Sequence, residues 1–290
     1  MTANRRLRRH SCRSLLLRVL PALAVVGCAH TARSAPAQQL PADEAGAVDR
    51  LNASPRHGEY VKIDAGGGDS VRMWVSYPER RDKAPVVVVI HEVFGLSDWI
   101  RGVADQLAAE GYIAVAPDLL TGHGPNGGGT ESVDRQGAVA LIRTLSQDQI
   151  NRRLMSAARY GTGLPAARPI FGTVGFCWGG GQSFAAAYSM GGNKAAVVYY
   201  GAPTPDSASL GRISAPVLGF YGGDDARVDA SVPPAQREMA RLHKPFDATL
   251  FEGAGHGFLR AQADRDGANL RASQAAWPRT IAFFREKLGR

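Results

Sequence analysis

The run PVVVVIHE at residues 85–92 limits the possible folds more than any other stretch of the chain. A strand that is apolar at every position, rather than at every second one, is typical of a parallel sheet covered on both faces. Ser97 can then cap a helix N-terminus. Ile100, Val103 and Leu107 follow at helical spacing, so a helix is expected directly after the strand.

Strand and helix signals alternate from about residue 60 to the C-terminus. Further strands are predicted at residues 71–78, 112–120, 168–176, 194–201, 216–223 and 247–253. Helices are predicted around residues 132–160, 182–190, 232–242 and 277–288. This alternation predicts an α/β fold with a mostly parallel central sheet and helices on both faces. Reactive loops gather at the carboxyl ends of such strands, which here selects the positions after Ile90, after Pro117, at Cys177 and after Tyr221.

The stretch GFCWGGG, residues 175–181, follows one predicted strand and has the outline G-x-S-x-G of a nucleophile elbow, with Cys177 in the place of serine. Such an elbow is a tight strand-to-helix turn, and its glycines prevent collisions with neighbouring backbone. The helix that follows directs N–H groups at the central side chain, which favours a thiolate. The N–H of Trp178 is a candidate oxyanion donor. The alternative is that Cys177 is a buried, inert residue.

A base and an orienting acid are expected downstream, in the order nucleophile, acid, histidine. YGGDDARV, residues 221–228, offers Asp224 and Asp225 at a strand end, and Asp225 is preferred because Asp224 fits a turn residue. AGHGF, residues 254–258, places His256 in a glycine-flanked loop after the last strand. The sequence therefore predicts that Cys177, Asp225 and His256 act together.

His91 and Glu92 end the buried strand, in the sequence IHEVFGL. A carboxylate beside a thiol opposes thiolate formation. Glu92 would then hold the Cys177 thiol neutral until substrate arrives. The alternative is that Glu92 only caps the next helix.

HEVFGL, APDLL, GFCWGGG, YGGDDARV and GHGF occur in this order within residues 60–290. Together they resemble the dienelactone hydrolase family of α/β-hydrolases. The resemblance implies the α/β-hydrolase fold and a Cys177–His256–Asp225 triad, with Glu92 as the resting partner of the thiol. It also implies that the N–H of Val93 is the second oxyanion donor.

Substrate contacts are implied by the same resemblance. Arg260 matches a position that binds the substrate carboxylate in family members. Phe94, Trp178 and Arg260 are expected to line the acyl pocket, and the alternative for Trp178 is a place in the core. Members that act on dienelactone carry a second arginine after the APDLL-like segment, where this chain reads TGHG at residues 121–124. The family's recognition of a carboxylated lactone is therefore not fully reproduced.

The first 37 residues have the pattern of an export leader. They hold seven arginines and no acidic residue, so the rest of the chain has 27 Lys and Arg against 26 Asp and Glu despite the formal net charge of +8. Nucleic-acid binding is therefore not expected. The apolar stretch is too short to span a membrane as a mature helix. We predict a signal peptide over residues 1–28 with lipidation of Cys28, which would tether the protein to the membrane, or cleavage near residue 37.

Residues 29–57 are rich in Ala, Pro and Gln and predict a tether, followed by the dienelactone hydrolase-like domain at residues 58–290. Once the leader is processed, Cys177 is the remaining free thiol of the domain. No metal or cofactor is expected. A monomer is favoured, although no pattern fixes the oligomeric state.

The sequence thus predicts an exported hydrolase, periplasmic or lipid-anchored at the bacterial envelope, that cleaves small activated esters or lactones. A thioester acyl-enzyme is expected on Cys177, with water as the second substrate. Two other functions remain open at this point: a non-catalytic ligand-binding protein and a thiol redox protein.

Overall fold

The computed structural model describes residues 1–2, 39–204 and 206–289. Almost all of the predicted leader, including Cys28, lies outside the described residues. The chain divides into two units, Met1–Ala37 and Gln38–Arg290, and the second holds the fold. In the described ranges, no helix combines the length and the apolar character needed to cross a membrane.

Eight strands of the second unit form one sheet in the order β1-β2-β4-β3-β5-β6-β7-β8. Their bounds are β1 Gly58–Gly66, β2 Asp69–Ser76, β3 Ala84–Ile90, β4 Ile113–Pro117, β5 Ala167–Phe176, β6 Asn193–Tyr199, β7 Val217–Gly222 and β8 Phe246–Phe251. The pairs β1–β2 and β2–β4 are antiparallel, and the others are parallel. The predicted α/β fold with a mostly parallel sheet is confirmed.

Helices cover both faces of this sheet. Their bounds are α1 Ala47–Asn52, α2 Asp98–Ala109, α3 Arg135–Ile142, α4 Gln147–Gly163, α5 Trp178–Ser189, α6 Ser207–Gly211, α7 Ala226–Asp229, α8 Val232–Arg241 and α9 Ala268–Leu288. The cores of α2 and α9 pack on one face, and those of α4, α5 and α8 on the other.

The strand β3 is buried along its whole length, as its uninterrupted apolar run predicts. The helix α2 begins at the predicted cap, where the Ser97 hydroxyl accepts a hydrogen bond from the Ile100 N–H. The helix α5 begins at Trp178, four residues before its predicted start. The glycines of this first turn favour a loop when only the sequence is considered. The elbow geometry instead requires the helix to begin directly after Cys177.

The predicted tether at residues 29–57 differs from the structure from residue 39 onward, because residues 39–57 pack on the domain. Trp99 Nε1 donates to the Ala42 carbonyl over 3.1 Å, and Gln262 Nε2 donates to the Pro41 carbonyl over 2.9 Å. Ala47 of α1 is 1 % exposed. Docking through these few contacts does not require a periodic pattern of apolar residues. The sequence of residues 39–57 therefore gives no helix or strand signal.

Candidate active site

Cys177 lies between the end of β5 and the start of α5, in a backbone conformation rarely adopted by a side-chain-bearing residue. Its φ is 56° and its ψ is −121°, which costs about 1–3 kcal/mol. A Cβ on Gly175 would lie 1.9 Å from the Gly179 carbonyl oxygen, and one on Gly179 would lie 2.3 Å from that of His91. Only glycine fits these two positions, so the elbow predicted from GFCWGGG is present in the structure.

The Cys177 sulfur faces two backbone N–H groups and a carboxylate. The amides of Trp178 and Val93 act to lower the pKa of the thiol, and Arg227 acts in the same direction. Burial and the nearby Glu92 carboxylate outweigh them, and the pKa of Cys177 is raised. The thiol in this arrangement is therefore neutral near pH 7, as expected if Glu92 is its resting partner.

His256 and Asp225 form a close pair after β8 and β7 respectively. His256 Nδ1 lies 2.5 Å from Asp225 Oδ2. Asp224, the other candidate, instead forms an ion pair with Arg265 at 2.8 Å. With Nδ1 engaged by the carboxylate, the Nε2 of His256 is left to exchange a proton. No hydrogen bond joins Cys177 to His256 among the contacts of the described residues.

Glu92 is buried against Arg260 at the end of β3. Arg260 Nε lies 2.8 Å from Glu92 Oε2, and Arg260 Nη1 donates to Glu44 Oε2 over 2.7 Å. Burial raises the pKa of Glu92 to about 7, although Arg260 acts to lower it, and Glu44 acts to raise it further. Glu92 therefore changes charge close to neutral pH. It is also close enough to the Cys177 thiol to raise the pKa of that thiol.

The His91 side chain, next to Glu92, has a structural role. Its Nε2 accepts a hydrogen bond from the Leu119 N–H over 3.0 Å, and its Nδ1 lies 2.7 Å from the Glu92 carbonyl oxygen. Burial lowers the pKa of His91. A neutral ring with the proton on Nδ1 satisfies both contacts, and it stacks on Trp178 at 5.8 Å.

A cavity of about 450 Å³ opens beside the nucleophile. Its lining combines aromatic, amide and small side chains with a single formally charged one, Arg227. The lining residues within the described ranges are Val93, Gln147, Cys177, Trp178, Gly181, Gln182, Ala185, Tyr188, Tyr200, Ala202, Pro203, Thr204 and Arg227. Trp178, one of the predicted acyl-pocket residues, is part of this lining.

Phe94 and Arg260, predicted as pocket residues, are not part of this lining. The Arg135 guanidinium lies 3.7 Å from the centre of the Phe94 ring, and Phe94 borders a separate cavity with Glu44 and Arg135. The Arg260 guanidinium is held between Glu44 and Glu92. Glu44 pairs with both Arg135 and Arg260 on this side of the site.

Tyr200 and Arg227 line the cavity but were missed from the sequence. Tyr200 has a φ of 41°, and its ring lies 5.2 Å from that of His256 in an edge-to-face arrangement. Its buried hydroxyl has no hydrogen-bond partner among the described residues. The rule that reactive groups lie at strand ends also applies to KAAVVYYG, the segment that forms β6, and could have found Tyr200. No comparable signal pointed to Arg227.

The described residues contain no group of three or more His, Cys, Asp or Glu side chains arranged to hold a metal ion. The chemistry available in this site is that of a thiol, an imidazole paired with a carboxylate, and convergent amides. These are the parts of covalent acyl transfer.

Comparison with known proteins gives a consistent result. The model of the "Dienelactone hydrolase family" matches residues 71–288. A protein of Salmonella typhimurium named "Putative carboxymethylenebutenolidase" is 30% identical over 77% of this chain and 85% of its own length. One of the same name from Saccharolobus solfataricus is 28% identical over 75% of this chain and 95% of its own length. The fold is similar to that of a "Putative Dienelactone Hydrolase" crystal structure from Klebsiella pneumoniae, with a TM-score of 0.69, 24% identity, and coverage of 79% of this chain and 98% of that one.

Proposed function

The chain belongs to the dienelactone hydrolase family, and on that premise we propose that this carboxylic ester or lactone hydrolase acts through Cys177 as a covalent nucleophile. The observation that carries the proposal is the strained elbow, which presents Cys177 to the amides of Val93 and Trp178. The pairing of His256 with Asp225 supplies the matching base.

In the first half of the reaction, His256 takes the thiol proton and the Cys177 sulfur attacks the substrate carbonyl carbon. The carbonyl oxygen becomes an oxyanion, which the N–H groups of Val93 and Trp178 stabilise. Collapse of this intermediate forms a thioester, breaks the bond to the alcohol oxygen, and returns the proton from His256 to that oxygen.

In the second half, His256 accepts a proton from water as the water oxygen attacks the thioester. The second oxyanion uses the same two amides. Its collapse expels the Cys177 thiolate and releases the carboxylic acid, and the proton on His256 returns to sulfur. Asp225 stabilises the imidazolium formed in both halves.

A thiolate is a better leaving group than an alkoxide, so the first tetrahedral intermediate tends to expel the thiolate and return to substrate. This partition favours acyl groups whose own leaving group is good, such as enol esters and lactones, and disfavours amides. The name of the relatives, carboxymethylenebutenolidase, refers to an unsaturated lactone that carries a carboxylate, and we carry over to this chain only the lactone. Water completes the reaction, so no cofactor enters this scheme.

We also propose export through the arginine-rich leader, with lipidation of Cys28 or cleavage near residue 37. The mass of the mature N-terminus distinguishes the two routes, because lipidation retains Cys28 as the first residue. Loss of membrane association in a Cys28→Ala variant would support the lipoprotein route. A cytoplasmic full-length chain would contradict export.

The test of the activity is a panel of lactones and activated esters, with wild type compared with Cys177→Ala. We expect turnover by wild type and loss of turnover by the variant, at unchanged thermal stability. Retained turnover in the variant would contradict the thiol mechanism. Intact ligand after prolonged incubation with wild type would favour a binding protein, and reversible sulfenic acid without esterase activity would favour a redox protein.

A further inference from the structure

Glu44 lies in the segment that the sequence predicts to be a tether, and its carboxylate bridges two arginines of the domain. Its Oε2 accepts a hydrogen bond from Arg260 Nη1, and its Oε1 accepts one from Arg135 Nη1, each over 2.7 Å. Its backbone N–H donates to the Arg260 carbonyl over 2.9 Å. Both predicted processing points, Cys28 and residue 37, leave Glu44 in the mature chain.

The backbone around Glu44 is fixed independently of its side chain. The carbonyls of Pro41 and Ala42 accept hydrogen bonds from Gln262 and Trp99, and Ala47 is buried. The Glu44 carboxylate is therefore delivered to Arg260 by a docked segment, and neutralising it does not remove these anchors.

Arg260 is thus held between two carboxylates of the protein. One edge of its guanidinium faces Glu92, which lies beside the Cys177 thiol, and the other faces Glu44. The Arg260 guanidinium acts electrostatically on Tyr200, which lines the cavity beside Cys177. A guanidinium fork pairs well with the two oxygens of a substrate carboxylate, and here it pairs with the protein's own Glu44 carboxylate.

We propose that Glu44 is a specificity-determining residue that stands in for a substrate carboxylate at Arg260, so that the enzyme selects esters and lactones whose acyl group is uncharged. This inference rests on the proposed hydrolysis at Cys177 and adds the class of acyl group. In the described part of the chain, the groups that act electrostatically on Arg260 include Glu92, Glu44 and Tyr200, and Arg135 shares the Glu44 carboxylate. The Phe94 ring, 5.5 Å from the Arg260 guanidinium, closes the same side.

The test compares p-nitrophenyl valerate with mono-p-nitrophenyl glutarate, which have acyl chains of equal length and differ in a terminal carboxylate. Wild type is expected to have the higher kcat/KM on valerate. Glu44→Gln removes one negative charge beside Arg260 and leaves the positive charge of Arg260 less neutralised, so the glutarate-to-valerate ratio of kcat/KM should rise by about fivefold or more. Glu44→Asp should stay near the wild-type ratio, and Arg260→Gln added to Glu44→Gln should cancel the gain.

A matched control is Asp247→Asn, which removes a carboxylate from an arginine pair at the start of β8, the strand end opposite the site. It should leave the ratio unchanged. A ratio in Glu44→Gln within about twofold of wild type, at unchanged melting temperature, would overturn the proposal.

Equilibrium binding of glutarate, followed by intrinsic tryptophan fluorescence, gives a readout independent of turnover. Glu44→Gln should bind glutarate about fivefold tighter or more than wild type, and unchanged affinity would overturn the role of Glu44. If wild type turns over neither ester, the hydrolysis proposal fails. The binding comparison then still decides whether Glu44 takes the place of a bound carboxylate at Arg260.

Discussion

Replacing Glu92 with Gln should make the protein more stable relative to wild type as the pH rises. Burial raises the pKa of Glu92 to about 7 from an ordinary value of 4.5. Below pH 4.5 the group is neutral in both the folded and the unfolded state, so it has no pH-dependent effect there. Between pH 4.5 and 7 the unfolded chain releases the proton while the folded protein keeps it, so the free energy of unfolding falls with pH.

The size of the effect follows from the interval between these two pKa values. Each pH unit of difference is worth about 1.36 kcal/mol, so the full loss by pH 8 is about 3 kcal/mol. Part of it has already occurred at pH 5, so about 2.5 kcal/mol remains to be lost between pH 5 and pH 8. Glutamine is isosteric and does not titrate, so the variant lacks this loss.

Urea unfolding of both proteins at several pH values between 5 and 8 measures the effect. The difference in unfolding free energy, variant minus wild type, should increase by about 2.5 kcal/mol over this range. Taking the difference cancels the titration of groups that do not interact with Glu92. A difference that stays constant within about 1 kcal/mol would refute the buried, protonated state of Glu92.

Three further expectations concern the residues around the nucleophile. Asp225→Asn should lower kcat/KM for an activated ester at least about a hundredfold, because His256 loses its orienting carboxylate, whereas Asp224→Asn should leave it nearly unchanged. Arg227→Gln should raise the pKa of the Cys177 thiol, since a cation that favours the thiolate is lost, and the rate of alkylation by iodoacetamide near neutral pH should fall. Gly175→Ala should cost about 3 kcal/mol of unfolding free energy, because its Cβ overlaps backbone, and denaturant titration measures this loss.

Each of these has a control or a contradicting outcome in the same chain. Equal losses in the Asp224 and Asp225 variants would contradict the observed pairing of His256. An alkylation rate unaffected by Arg227→Gln would place its charge out of range of the sulfur. Gly191→Ala, where the added Cβ meets nothing within 4 Å, should leave stability unchanged; an equal loss at both glycines would contradict the close-approach argument.

The sheet and the elbow could be predicted because their signals are local. A buried parallel strand needs an unbroken apolar run, which β3 has, and an elbow needs glycine within a few residues of its nucleophile, as at Gly175 and Gly179. Strand order and chain order then bring Cys177, Asp225 and His256 to one edge of the sheet. These features depend on residues close together in sequence or on the topology.

The pocket could not be predicted in the same way, because side chains far apart in sequence share its walls. A tyrosine at the end of an apolar strand is typical of a core residue, so Tyr200 was not selected although the strand-end rule applies to it. Arg227 reads as a surface residue of a short helix. Glu44 lies in an aperiodic segment whose docking depends on single hydrogen bonds to Trp99 and Gln262, and no sequence pattern identifies such contacts.

The central claim, that Cys177 is the covalent nucleophile, is tested most directly by trapping the intermediate. Wild type is mixed with one equivalent of p-nitrophenyl valerate, quenched with acid at successive times, and examined by intact-mass and peptide mass spectrometry. The account predicts a transient mass increase of one valeryl group, located on Cys177 and labile to hydroxylamine as a thioester. An acyl group on any other residue, or a complete turnover without any adduct, would contradict it.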